Sequence, residues 1–210
     1  QTLRGLSYPP RLWNPVWMGP LSPAELRDLF DEPVDVESVY SEAIDCWDRC
    51  RGAHLVDRTL MFFTELYLKN DILVKVDRCS MMHSLEVRSP FLDIELVDFV
   101  RRIPHTYKMR GGRTKYIFKK AVAPLLLPEI RNRKKKGFGA PVGEWLRKGR
   151  LPWADSPSLG PDFERFSRRY RRLHTAGRAD YRLFLFNGWL LGHYLAARSV
   201  TSRLTSLRNH

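Results

Sequence analysis

With 210 residues, 43% of them hydrophobic, the chain can bury a core and falls in the range of one ordinary globular domain or one large piece of a bigger one. Its 36 Lys and Arg outnumber 23 Asp and Glu to a formal net charge of +13, which fits an anionic partner without choosing among nucleic acid, a nucleotide, pyrophosphate and an acidic domain. The longest apolar run, Leu183 to Ala197, is broken by Asn187, Gly188, Gly192 and His193 and falls short of the ~20 continuous apolar residues of a membrane span, so a soluble chain with no membrane partner is expected.

The chain opens on Gln1 with no cationic stretch leading into an apolar run, so neither a signal peptide nor a natural start is visible and the sequence reads as a fragment. Gln1 to Gly19 is rich in Pro, Trp and Tyr without a steady period, and residues 1–21 are expected to form an extended lead-in. Ser22-Pro23-Ala24-Glu25 then predicts a helix start, with a capping serine, a proline at the first position and a glutamate at the third, followed by the apolar face of Leu26, Leu29 and Phe30. From Val36 to Arg51 the apolar residues Val36, Val39, Tyr40, Ala43, Ile44 and Trp47 repeat at helical spacing, and Gly52 ends the pattern.

Cys46 and Cys50 lie one helical turn apart and could in principle share a metal with His54, but ordinary half-buried helix positions are the expected reading and no metal site is expected. With Cys79 they cannot all pair, and no C-x-x-C spacing occurs, so a reducing, cytoplasmic setting is expected. His54 to Lys69 is apolar on too many sides for a surface helix and is expected to cross the core. Asn70 and Asp71 offer a cap for a further helix through Ile72, Leu73, Val76, Cys79 and Met82, and these helices are expected to form the packed centre.

Beyond Ser89-Pro90 a helix is predicted from Leu92 to Val100, ending before Pro104, and Gly111-Gly112 marks a tight turn. Thr114 to Leu126 reads as helix with Pro128 as its stop, and Arg131 to Pro141 as a basic loop. Leu151 to Pro161 has a linker's composition, and two helices close the chain near Phe163 to Leu173 and Asp180 to Arg198, with a turn at Gly177. In the first of these, Phe163, Phe166, Tyr170 and Leu173 are expected to point inward, while Arg168, Arg169, Arg171 and Arg172 form a wet face. With no alternation of strands and helices and no internal repeat, the class is mainly α, organised as a helical core over 22–150, a linker over 151–161 and C-terminal helices over 162–210.

Four clusters mix charge with structural breakers. Asp77 and Arg78 interrupt an otherwise apolar helix, where a charge must be paired or must face a ligand. Glu86, Arg88 and Asp93 flank a proline-directed bend that either aims carboxylates into a cleft or is locked by an Arg88–Asp93 pair. Gly111-Gly112-Arg113-Thr114-Lys115 feeds a helix start with two cations, a generic turn or an anion cradle, and it lacks the order of a Walker loop. Arg131, Arg133, Lys134, Lys135 and Lys136 place five cations in six positions ahead of GFGAP, which suggests a solvated or nucleic-acid-binding loop, or a loop folded back so that a lysine meets a phosphate.

Taken in order, DILVKVDRCSMMHSLEVRSPFLD, GGRTKY and RKKKGFGAP followed by Trp145-Leu146 closely resemble the C-terminal half of the synthetase domain in the glutamine-hydrolysing asparagine synthetase family. The resemblance spans roughly Trp13 to Tyr194. It implies the helical C-terminal portion of an α/β adenine-nucleotide α-hydrolase-like (PP-loop) domain, with the parallel-sheet nucleotide-binding half absent. It also implies a two-step reaction in which the aspartate side-chain carboxylate attacks the α-phosphate of Mg-ATP, giving β-aspartyl-AMP and pyrophosphate, and ammonia displaces AMP.

On that resemblance Lys135 matches the lysine that steadies the departing pyrophosphate, with Arg88, Lys115 and Arg133 as supporting cations. Glu86 falls where related β-lactam-forming members place a glutamate that helps to take a proton. Asp77 and Arg78 match a D-R pair of the family that shapes the site floor or touches the ligand, and Asp93 counts among the substrate- and pyrophosphate-binding candidates. The implied ATP and Mg2+ would be held mainly by the S-G-G-x-D-S loop and an acidic segment, and the implied partners are that PP-loop half and a glutaminase domain of the same polypeptide, with aspartate and ammonia as substrates. None of those segments appears here, so the chain alone is expected to be inactive. A homodimer is compatible with this reading. A relative acting on a peptide, sugar or antibiotic precursor, and a basic nucleic-acid-binding module, are the alternatives.

Overall fold

The computed structural model describes residues 5–30, 33–134, 137, 139–151 and 157–208, with side chains described at all of these except 132 and 199–208. Prolines set the opening. Pro10 occupies the first position of a 3-10 turn, Pro10–Leu12, and Pro15 lies early in helix α1, Trp13–Met18. A first helical turn has no need of the amide that proline lacks. Among its described residues the Pro-rich lead-in is therefore helical from Pro10 to Met18 rather than extended.

Helix α2, Pro23–Leu29, begins as expected: the Ser22 hydroxyl accepts from the Glu25 amide at 3.3 Å and the Glu25 carboxylate accepts from the Ser22 amide at 2.8 Å. The next helical pattern divides into α3, Val36–Val39, and α4, Ser41–Arg49. Between them Tyr40 takes a non-helical conformation, while Gly52, at φ +81°, supplies the expected stop. Helix α5, Leu55–Phe62, then runs without interruption through a π-helical stretch, Phe63–Leu73, into α6, Val74–Met81.

Asn70 and Asp71 thus lie inside a continuous helix instead of starting a new one. No glycine or proline occurs between Gly52 and Pro90 to break it, and capping residues do not end a helix by themselves. Helices α7, Ile94–Arg102, and α8, His105–Lys108, follow. The Gly-Gly turn closes a hairpin of β1, Met109–Arg110, and β2, Arg113–Thr114, the only strands among the described residues, with Met109 opposite Thr114. Gly111 and Gly112 sit at φ +54° and +73°, values that a two-residue hairpin turn demands and that glycine adopts freely.

Helix α9, Tyr116–Val122, ends in a 3-10 turn, Ala123–Leu125, and Pro128 does more than stop it. That proline takes the first position of α10, Pro128–Asn132, so Arg131 belongs to a helix rather than to the basic loop. Helices α11, Val142–Arg147, α12, Pro161–Thr175, and α13, Arg182–Arg208, complete the chain, with Gly177 at φ +67° in the last turn. The class is mainly α. No helix among the described residues is long and apolar enough to cross a membrane.

The chain forms two compact units, one of residues 1–8, 15–39 and 138–210, the other of residues 9–14 and 40–137. In the first, α12 packs against α2, α11 and α13. Its core joins Leu21, Phe166, Tyr170, Tyr181, Phe184 and Leu185, so the expected inward face of α12 is present. Tyr170 stacks on Tyr181 at 4.2 Å, and the Tyr181 hydroxyl donates to Glu25 at 2.7 Å, fastening α2 to the start of α13. His174, fully buried, donates from Nε2 to the Gly143 carbonyl at 3.0 Å.

The second unit buries less. Leu12, Ala43, Cys46, Trp47 and Phe62 are its buried apolar side chains, and from Leu55 to Met81 only Phe62 is buried. The expected packed centre over His54 to Met82 is therefore a half-covered helix, because an all-round apolar helix needs neighbours on every side and this unit supplies them on one. Arg58 anchors it, donating to the Trp47 carbonyl at 2.8 Å with its guanidinium 3.8 Å from the Trp47 ring centroid.

Candidate functional site

The described candidate residues Asp77, Arg78, Glu86, Arg88, Asp93, Lys115 and Arg133 all lie in the second unit. Asp77 and Arg78 are exposed on α6, and neither makes a side-chain ion pair among the described residues, so the charges that interrupt this helix face outward. The chain leaves α6 through Ser84 at φ +54°, a left-handed conformation that costs a residue with a Cβ about 1–2 kcal/mol. Strain of this kind persists where the surrounding structure dictates the path. Here it turns the backbone into the open segment that carries Glu86 and Arg88.

Arg88 Nε donates to Glu86 Oε1 at 2.9 Å. The side chains are 84% and 69% exposed, and in water such a pair contributes about 0–1 kcal/mol. Either partner can therefore be drawn to a ligand at small cost. Asp93 is engaged differently: its carboxylate accepts from the Leu96 amide at 3.0 Å and caps α7. The bend is held by Pro90 and this cap, not by an Arg88–Asp93 pair.

Lys115 provides a second strained position. It lies at φ +55° and ψ +37°, directly before α9, and its side chain makes no capping bond. Its neighbours extend a cationic surface, with Arg110 Nη1 donating to the Tyr116 hydroxyl at 3.5 Å and Lys120 above the same ring at 5.6 Å. Among the described residues no carboxylate pairs with Arg113 or Lys115. Arg133 and Lys134 are exposed beyond α10. Lys135, the residue first in rank on sequence grounds, lies outside the described residues, as do Lys136 and Phe138. Of the candidate site residues, the structure thus joins Glu86 to Arg88. It records no hydrogen bond or ion pair from that couple to Asp77, Arg78, Asp93, Lys115 or Arg133.

Among the described residues no group of three or more His, Cys, Asp or Glu could hold a metal ion. Cys46 is buried, which pushes its thiol above the usual range, and Cys79 is exposed. A cluster that sequence reading missed ties α5 to α8. Asp57 accepts from Lys108 at 3.1 Å and lies 3.7 Å from His105, whose ring stacks on His54 with centroids 3.7 Å apart. Asp57 and Lys108 stand 51 positions apart, so no local spacing reveals the pairing.

The family model described as asparagine synthase matches residues 8–165. Glutamine-hydrolyzing asparagine synthetase 1 of Bacillus subtilis is 39% identical over 87 residues, covering 41% of this chain and 14% of its own length. Glutamine-hydrolyzing asparagine synthetase 3 of the same organism is 36% identical over 104 residues, 46% of this chain and 17% of its own. A protein named amidase chry2 from Gibberella zeae is 32% identical over 99 residues, 44% of this chain and 15% of its own. The aligned segments thus span about one-sixth of the length of these relatives. No solved structure matches at a significant level.

Proposed function

This chain belongs to the asparagine synthase family, and from that premise we propose that it is the helical C-terminal portion of the synthetase domain of an ATP-dependent, amide-forming ligase. On this reading the parallel-sheet half that grips ATP and a glutaminase domain that releases ammonia belong to a longer cytoplasmic polypeptide. The supporting observation is the apolar surface around the charged motif. Met82, Leu85, Val87, Phe91 and Ile94 expose 82%, 60%, 49%, 65% and 78% of their surfaces on either side of Glu86 and Arg88. So much apolar exposure in one short stretch marks an interaction surface, and the missing half of the domain is its natural cover.

In the proposed reaction the aspartate side-chain carboxylate attacks the α-phosphorus of ATP, the bond to the bridging oxygen breaks and pyrophosphate leaves. Ammonia then attacks the activated carbonyl, AMP departs and a proton is released. Residues of this chain act on the charge that builds up on the departing group. Lys135 steadies the pyrophosphate, assisted by Arg88, Lys115 and Arg133, which are already cationic when the negative charge develops. Glu86 orients the nucleophile while holding Arg88. Asp77 and Arg78 line the floor, and Asp93 anchors the bend through its cap on α7. The Mg2+ that accompanies ATP is held, on this reading, mainly by carboxylates of the nucleotide-binding half.

The test is ATP–pyrophosphate exchange. The 210-residue chain alone should be silent, whereas the longer polypeptide should exchange, form asparagine from aspartate and glutamine, and lose adenylation in Lys135→Ala with its thermal midpoint unchanged. Turnover of that variant within a few-fold of the parent would reduce Lys135 to a scaffold residue. The similarity to a protein named as an amidase favours a second reading, an amidotransferase of the same type acting on a peptide, sugar or antibiotic precursor. Exchange that depends on an acceptor other than aspartate, with no asparagine formed, would select it.

A further inference from the structure

The polar face of α12 carries Arg165, Arg168, Arg169 and Arg172 at helical spacing, a stripe roughly 10 Å long at 1.5 Å per residue. With Arg178, beyond the Gly177 turn, and Leu173, they line a groove of about 480 Å³. Arg178 also lines a second cavity, of about 370 Å³, whose walls include Val16, Pro20 and Leu21 and whose polar lining includes Ser22, Glu25 and Asp180. That volume falls in the range of small-ligand sites, about 300–1,000 Å³.

Three features set the groove apart from an ordinary solvated helix face. Its cations are all arginine, whose planar fork binds phosphate through two parallel hydrogen bonds. Only Arg165 has a carboxylate partner, Asp162 at 3.2 Å; among the described residues Arg168, Arg172 and Arg178 have none. Arg178 also borders both the groove and a cavity large enough for an organic body. Beyond Arg165 the groove residues lie outside the segment that the family model matches.

We propose that the groove is a binding site for a ligand bearing a pyrophosphoryl group, held by Arg168, Arg172 and Arg178, with any organic body seated in the cavity beside Arg178. The geometry favours a small ligand over a nucleic acid. Phe166 and Tyr170 are buried, so α12 offers no ring on which single-stranded bases would stack, and the stripe is shorter than one ~34 Å turn of duplex. The site stands independently of the adenylation reading, which concerns the other unit.

Isothermal titration of the 210-residue chain at low salt tests it, with inorganic pyrophosphate, ADP, AMP and a duplex RNA as probes. Pyrophosphate and ADP should bind, and AMP at least tenfold more weakly. The variant R168Q/R172Q/R178Q should lose at least tenfold in affinity for both, with an unchanged ligand-free thermal midpoint, and Arg178→Gln alone should lose several-fold should the triple variant misfold. Tighter binding of ADP than of pyrophosphate identifies a nucleotide as the source of the group, and equal binding identifies free pyrophosphate. The proposal is overturned if neither binds, if AMP binds as well as ADP, or if the duplex alone binds through these arginines. Loss of affinity in Lys135→Ala with the triple variant unaffected would place the anion on the 131–136 loop and overturn it equally.

Discussion

Gly188 in α13 faces Phe163 in α12, and replacing it with alanine tests the packing of the first unit. A Cβ added there would stand 2.1 Å from Phe163 Cζ and 3.0 and 3.1 Å from Cε1 and Cε2. Ordinary contact begins near 3.4 Å, so the ring must retreat by at least 1.3 Å. It already packs against Phe184, with centroids 5.3 Å apart. Overpacking of this kind costs about 1–3 kcal/mol. Alanine recovers about 0.8–1 kcal/mol over glycine in a helix, which leaves a net loss of about 1 kcal/mol at the middle of that range. Urea unfolding followed by circular dichroism should show that loss, and a unit of about 100 residues should melt about 4–8 °C lower per kcal/mol. The same substitution in a Phe163→Ala background should have the opposite sign, because the clash is gone while the helical gain remains. A Gly188→Ala chain as stable as the wild type would refute the close approach on which the reasoning rests.

Burial, reinforced by the charge of Glu25 and by Tyr181, pushes the Tyr170 hydroxyl from 10 up to about 12. Its contribution to stability is complete below the unfolded value, falls as pH rises from about 10 and is lost by about 12, so alkaline titration of unfolding should steepen there and flatten in Tyr170→Phe. Tyr181→Phe removes the hydroxyl that Glu25 accepts, and Ser22→Ala removes the helix cap; each should lower the unfolding free energy of the first unit by about 1 kcal/mol in a denaturant titration. Asp57→Asn should destabilise the second unit by about 1 kcal/mol, discounted for its partial exposure, and hydrogen exchange should rise first in α5 and α8.

Much of the local structure was legible in short stretches of sequence. The Ser22–Glu25 capping box, the Gly52, Gly111-Gly112 and Gly177 turns, and the inward Phe166 and Tyr170 follow from neighbours within a few residues, because caps, turns and helical faces are satisfied locally. The ordered motifs from Asp71 to Leu146 likewise pointed to the family, since a site depends on particular residue types in a particular order. Helix breaks were less legible. Asn70 and Asp71 have the composition of a cap, yet the helix continues through them, and Pro128 begins a helix where a stop was expected.

Tertiary structure decided the rest. Arg88 pairs with Glu86 while Asp93 caps the next helix through the Leu96 amide, a pairing set by the path of the bend. Asp57 meets Lys108 across 51 residues, and Gly188, which in sequence merely interrupts an apolar run, proves to be the only size that fits beside Phe163. Residue type and spacing determine which helices can form and which chemistry they can carry. Which faces are covered depends on contacts between distant segments, and those contacts exist only once the chain has folded.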